Sequence, residues 1–170
     1  RAKLAEARIP EVRAFCDRYE EEGTPLVVFC SHSAPLRDLV GGDFGKPREG
    51  WGCITGDTPP KLRDTFVELF QTGMLHGLAV ATQAGGVGLT LTRASHALFV
   101  DLEYTPSKNK QAEDRAHRPG QENESVQIID LVTPQTVDEM PHAANIDKSL
   151  RLEEIVRDQE ALKSWLSKKA

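Results

Sequence analysis

Hydrophobic and polar positions alternate between two patterns along the chain. Leu26–Cys30 (Leu-Val-Val-Phe-Cys) is a short continuous apolar run, the pattern of a strand covered on both faces. Residues 51–55, 78–82 and 96–101 give three more such runs, and 125–132 alternates well enough for a fifth strand. Between them the period lengthens to that of a helix. Residues 2–22 carry Leu4, Ile9, Val12, Phe15, Cys16 and Tyr19 at roughly helical spacing, with Pro10 bending or splitting the helix. Ser33 is placed to cap a helix over 34–40. Residues 61–71 put Leu62, Phe66, Leu69 and Phe70 on one side, with Pro59 or Pro60 in the first turn. A helix over 107–118 is stopped by Pro119-Gly120. A short helix is expected over 133–140, ending before Pro141, and another from Asn145 onward. Strands alternating with helices in this way predict an α/β domain with a mostly parallel sheet, whose ligands gather at the carboxyl ends of the strands.

Composition narrows the reading. The 170 residues, 39% hydrophobic and 28% charged, suit one ordinary globular domain with a real core. A net charge of −5 means that any nucleic-acid site is local rather than a basic surface. Cys16, Cys30 and Cys53 are odd in number and form no CxxC, which argues for a reducing compartment with neither a disulfide framework nor a zinc knuckle. No apolar run is long enough to span a membrane and no signal peptide is visible. The first residue is Arg1, inside a predicted helix, so the chain reads as a piece of something longer.

Candidate chemistry concentrates in two stretches. In Gln111-Ala-Glu-Asp-Arg-Ala-His-Arg-Pro-Gly-Gln121, the residues Gln111, Arg115 and Arg118 fall at i, i+4 and i+7, one face of the predicted helix. Two guanidiniums on one face make a fork for a polyanion. The competing reading is local pairing, with Asp114 four residues before Arg118 and Glu113 four before His117. The second stretch, Thr82-Gln-Ala-Gly-Gly-Val-Gly88, follows a buried strand. Its glycines let backbone N–H groups approach a phosphate; the alternative is a tight, closely packed turn. Gly41-Gly-Asp-Phe-Gly-Lys-Pro47 is a decoy: Val40 and Pro47 break the phosphate-loop spacing. The five histidines are scattered, and no metal site is expected; Asp138-Glu139 with His142 reads as surface.

The order of these stretches resembles the C-terminal RecA-like lobe of the Swi/Snf-type DNA-dependent ATPases of helicase superfamily two. Residues 26–31 look like the family's fourth motif. Ile54-Thr-Gly56 with Arg63 and Phe70 looks like the block after it, and residues 81–91 like the fifth motif. Asp101-Leu-Glu-Tyr-Thr-Pro106 is similar to Asp-x-x-Trp-Asn-Pro, and 111–121 to the sixth motif, usually Gln-Ala-x-Asp-Arg-x-His-Arg-Ile-Gly-Gln. Pro119 departs from the family Ile, Tyr104 from Trp and Thr105 from Asn.

The resemblance implies a RecA-like, mostly parallel sheet with helices on both faces over 1–157, and a helical tail over 158–170. It implies that Arg115 and Arg118 are arginine fingers reaching the ATP γ-phosphate. Gln111, Gly86 and Gly88 would shape the ATP cleft, and Ser31 and Thr82 would contact double-stranded DNA. ATP and Mg would be held mainly by an N-terminal RecA-like lobe, so that this chain alone would not hydrolyse ATP. The expected function is the second motor lobe of an ATP-driven double-stranded-DNA translocase or remodeller. The alternatives are a lobe of a strand-separating helicase and a non-catalytic scaffold. The short loops lean towards a bacterial or phage protein in the cytoplasm, the nucleus being the other possibility.

Overall fold

A computed structural model describes residues 1–41, 48–84, 88–121, 123, 125–136, 139–143 and 146. Its elements are α1 (Ala2–Ala7), α2 (Ile9–Glu21), β1 (Leu26–Cys30), α3 (Ser33–Gly41), β2 (Trp51–Ile54), α4 (Pro60–Gln71), β3 (Gly77–Ala81), β4 (His96–Phe99), α5 (Pro106–Ala116) and β5 (Gln127–Asp130). The five strands form one sheet in the order β2-β3-β1-β4-β5, and every neighbouring pair is parallel. All five predicted strands are present, within two residues or so of their expected ends.

The apolar runs become strands because the layers on either side leave no water for them. β1 and β3 are buried along their whole length, while β5, at the edge, is largely exposed. Phe29 on β1 stacks on Phe99 on β4 with ring centroids 5.0 Å apart. Trp51 lies across Gly77 of the neighbouring strand, where an added Cβ would come within 2.4 Å of the indole. Glycine is therefore needed there for close approach, not for its backbone angles.

Of three helices, the first takes one of its two expected forms, and the second and third depart from expectation. The first is split into α1 and α2 at Arg8, with Pro10 in the first turn of α2. Proline removes one helical hydrogen bond and crowds the carbonyl four residues back. The break also lets the buried Arg8 side chain donate to the carbonyls of Val100 (2.6 Å) and Leu131 (3.1 Å) and to Thr133 Oγ1. Second, α5 ends at Ala116, two residues early, with His117 at φ −97°, ψ 82°. A residue before proline avoids the helical region, so Arg118 cannot continue the helix into Pro119. Third, residues 134–136 form a turn and residues 139–143 are helical, so Pro141 lies inside a helix rather than after it. The predicted C-terminal helix and tail lie outside the described residues, Ile146 excepted. No described helix is long and apolar enough to cross a membrane.

Candidate functional site

From β1 the chain goes to β2 and β3 on one side of the sheet, then crosses to β4 and β5 on the other. The strand order therefore reverses at β1 and β4, the position where open α/β sheets leave a crevice for ligands at the carboxyl ends. Ser31 and Asp101 stand at those two ends. Asp101 is 2% exposed. It accepts the Ser31 N–H on Oδ1 at 2.7 Å and the Ser31 hydroxyl on Oδ2, and it lies 3.5 Å from Arg1 Nη2 and 3.6 Å from His32 Nε2. Ser31, expected to meet DNA, thus has its hydroxyl proton directed inward to a carboxylate. What it offers outward is a lone pair, or the hydroxyl after release from Asp101.

Thr82 follows β3. Its N–H continues the ladder to the Cys30 carbonyl at 2.9 Å, and its buried Oγ1 has no hydrogen-bond partner among the described residues. Beside it, Gln83 Nε2 donates to Glu103 Oε1 at 2.6 Å. This bond spans the end of β1, joining the loop after β3 to the loop after β4. The second loop is held in turn by Asn109, which is buried on α5. The Asn109 amide accepts the Glu103 N–H and donates to the Glu103 carbonyl, both at 2.9 Å.

The two arginines separate. Arg115 is 3% exposed, whereas Arg118 is exposed beyond the end of α5. The reason lies in which face of α5 packs inward. Asn109, Ala112, Arg115 and Ala116 are its buried residues, and Gln111 is exposed. Arg118 leaves the helix before Pro119 and lies over Gly88: a Cβ there would be 3.0 Å from Nη2 and 3.2 Å from Nη1. Its Nε donates to the Asp114 carbonyl at 3.1 Å. The Asp114 carboxylate pairs instead with Lys110 at 3.3 Å. Local pairing of Arg118 with Asp114 through charge is therefore not what the fold uses.

Arg115 is tied to the same loop, since its carbonyl accepts the Leu91 N–H at 2.9 Å. Burial lowers the pKa of Arg115, and the nearby charge of Arg118 lowers it further. Gly86 lies outside the described residues. Among those described, no group of three His, Cys, Asp or Glu side chains could hold a metal ion.

The helicase conserved C-terminal domain family matches residues 10–120. The chain belongs to that family. This helicase C-terminal lobe is 39% identical over 156 residues to a Caenorhabditis elegans SWI/SNF-related matrix-associated actin-dependent regulator of chromatin (subfamily A, containing DEAD/H box 1, homolog), covering 91% of this chain and 16% of that protein. It is 34% identical over 124 residues to Bacillus subtilis YwqA, whose name describes an ATP-dependent helicase/translocase, covering 73% of this chain and 12% of that one. The lobe thus spans about one sixth of the first relative's length and less of the second's. Among solved structures, the C-terminal part of the Fun30 ATPase domain superposes with a TM-score of 0.62 at 24% identity, covering 74% of this chain and 40% of that one, which shows the shared RecA-like α/β fold. The lobe is of the SWI/SNF type, and its relatives are helicase-like ATPases. One relative is a chromatin regulator by name and the other is bacterial, so together they do not favour a bacterial or phage source over a eukaryotic one.

Sequence reasoning named Arg63 only as part of the block after the fourth motif and did not single out Asn109 or the backbone of Glu103. Arg63 donates to three backbone carbonyls, those of Gly56, Thr58 and Ala84. A signal for Asn109 was present: with Ala112 and Ala116 it makes a stripe of small residues at i, i+3 and i+7, the face that a helix turns inward.

Proposed function

We propose that this chain is the second motor lobe of an ATP-dependent double-stranded-DNA translocase or remodeller, and that Arg118 is its arginine finger. The observation that carries the reading is the exposed Arg118 guanidinium lying over Gly88, with the buried Arg115 charge close by. A glycine beneath a cation leaves room for a phosphate oxygen to approach, and the second positive charge strengthens the local potential without itself being exposed. The donor set suits phosphate rather than Mg²⁺. On this reading an N-terminal RecA-like lobe of the same protein binds ATP and Mg²⁺, and the present lobe completes the pocket from the other side.

Phosphoryl transfer to water depends on positioning and on stabilising charge in the transition state; a finger arginine contributes about 10³–10⁵ in rate. Arg118 supplies that charge. Arg115 holds the loop that ends at Leu91 and adds its field from within. Gln111 faces the cleft from the exposed side of α5. Thr82 and Ser31 border the DNA path, with Thr82 Oγ1 free to accept or donate there and Ser31 held by Asp101. This lobe alone is expected to be inactive as an ATPase. The test is the DNA-stimulated ATPase rate of the full-length protein that carries this chain. Arg118→Ala should lower kcat by about 10³ or more with DNA binding retained. An unchanged rate would favour the scaffold reading, and strand separation by the wild type would favour the helicase one.

A further inference from the structure

We propose that Asn109 is a positioning residue that couples the DNA-facing loops to the arginine finger, an inference that rests on the function proposed above. Residues 100–105 connect the end of β4 to the start of α5. Thr105 is the N-cap of α5 but makes no side-chain hydrogen bond to the helix. The buried Asn109, one turn into α5, reaches back instead. Its Oδ1 accepts the Glu103 N–H and its Nδ2 donates to the Glu103 carbonyl, both at 2.9 Å. One flat amide thus satisfies both backbone groups of a single residue, as an opposed residue does in an antiparallel ladder. A connector that could bend at several backbone torsions becomes a stiff extension of α5.

Both side chains expected at the DNA path lead to this clamp. Ser31 is bonded through its N–H and its hydroxyl to Asp101, which precedes Glu103 in the same connector. Thr82 is followed by Gln83, whose Nε2 donates to Glu103 Oε1 at 2.6 Å. At the far end of α5, Arg118 Nε donates to the Asp114 carbonyl at 3.1 Å, and the Arg115 carbonyl accepts the Leu91 N–H at 2.9 Å. With Asn109 holding Glu103, a displacement of the loops by DNA reaches Arg118 as a movement of α5. Without it, the displacement is absorbed by bending of the connector. Contiguous hydrogen bonds and rigid elements are the physical means by which one site moves another.

The local alternative is that Asn109 only replaces the absent N-cap bond. Its loss would then lower stability and reduce the ATPase rates with and without DNA together. As a coupling residue, its loss lowers the DNA-stimulated rate and spares the rate without DNA.

The experiment measures the ATPase rate of the full-length protein without DNA and at saturating double-stranded DNA, together with the melting temperature. Saturation, checked by fluorescence anisotropy, makes the comparison independent of DNA affinity. Asn109→Leu keeps the volume of the buried side chain and removes both bonds. The ratio of stimulated to basal rate should fall about fivefold or more, the lower end of typical coupling between sites, whatever the change in melting temperature. A wild-type ratio overturns the proposal, including the case in which both rates fall in parallel. Arg118→Ala is measured alongside: if it keeps the wild-type rate, the underlying reading fails, so the two failures are told apart. If Asn109→Leu does not fold, Asn109→Asp, which still accepts the Glu103 N–H but has no donor for the carbonyl, takes its place. A lowered ratio then supports the proposal and a wild-type ratio overturns it.

Discussion

Removing the Asp101 carboxylate should loosen the junction of β1 and β4 more than any other single polar substitution at the strand ends. Asp101 is 2% exposed and accepts both the N–H and the hydroxyl of Ser31. A hydrogen bond to a charged acceptor contributes about 1.5–3 kcal/mol, and a buried donor left without an acceptor adds its own desolvation cost. Ser31 is half-buried, so water recovers part of the loss. For Asp101→Ala we take a net loss of about 3 kcal/mol. For a chain of this length that is about 6–12 °C in melting temperature, at about 2–4 °C per kcal/mol. Asp101→Asn keeps one acceptor and turns an amide donor towards a second donor, so it should lose roughly half as much. Ser31→Ala should cost about 1 kcal/mol, and much less again in the Asp101→Ala background, because the hydroxyl bond is then already gone. Thermal and urea unfolding followed by circular dichroism measure the wild type and all four variants. A melting temperature for Asp101→Ala within 2 °C or so of wild type would refute the reasoning, as would fully additive losses for the two residues.

Gly77→Ala should destabilise by about 1–3 kcal/mol, because the new methyl meets an indole that cannot easily turn away. Trp51 is held by a hydrogen bond from Nε1 to Glu20 and by the Arg48 guanidinium 5.1 Å from its ring centre. Urea midpoints check this, and adding Trp51→Leu should restore part of the loss. Burial raises the Cys16 thiol from 9.0 to about 12 and the Cys53 thiol to about 11. Because the folded form holds its proton to higher pH than the unfolded form, this contribution is complete below pH 9 and disappears as pH rises from 9 towards 12. Unfolding midpoints of wild type and Cys16→Ala across that window should converge in slope below pH 9 and diverge above it; parallel profiles throughout would contradict the burial argument.

The fold was legible because it rests on patterns that repeat. Leu26–Cys30 has no polar position to face water, and the glycine and proline clusters around it leave little choice of boundary. Strand order and register were not legible, since they depend on which runs pack together and not on any one of them. The site was legible in part. The sixth-motif residues located the arginines, but helical periodicity put Arg115 and Arg118 on one face, and α5 does not last long enough to do so. Pro119 carried the warning: it forbids the residue before it from staying helical. Arg63 and Asn109 could be singled out, one within a motif block and the other on the inward stripe of α5, but their partners could not. Those partners are backbone groups of Gly56, Thr58, Ala84 and Glu103, and a backbone group leaves no mark in the sequence.

The most direct test of the account is the ATPase rate of full-length protein, with DNA present, for wild type, Arg115→Lys and Arg118→Lys. Arg118→Lys keeps the charge but loses the fork over Gly88, and should lower kcat by at least about a hundredfold while the folded state remains as stable as wild type. Arg115→Lys, buried beneath the same loop, should lower the melting temperature as well as the rate. Wild-type kcat in Arg118→Lys would contradict the claim that this side chain completes the nucleotide pocket.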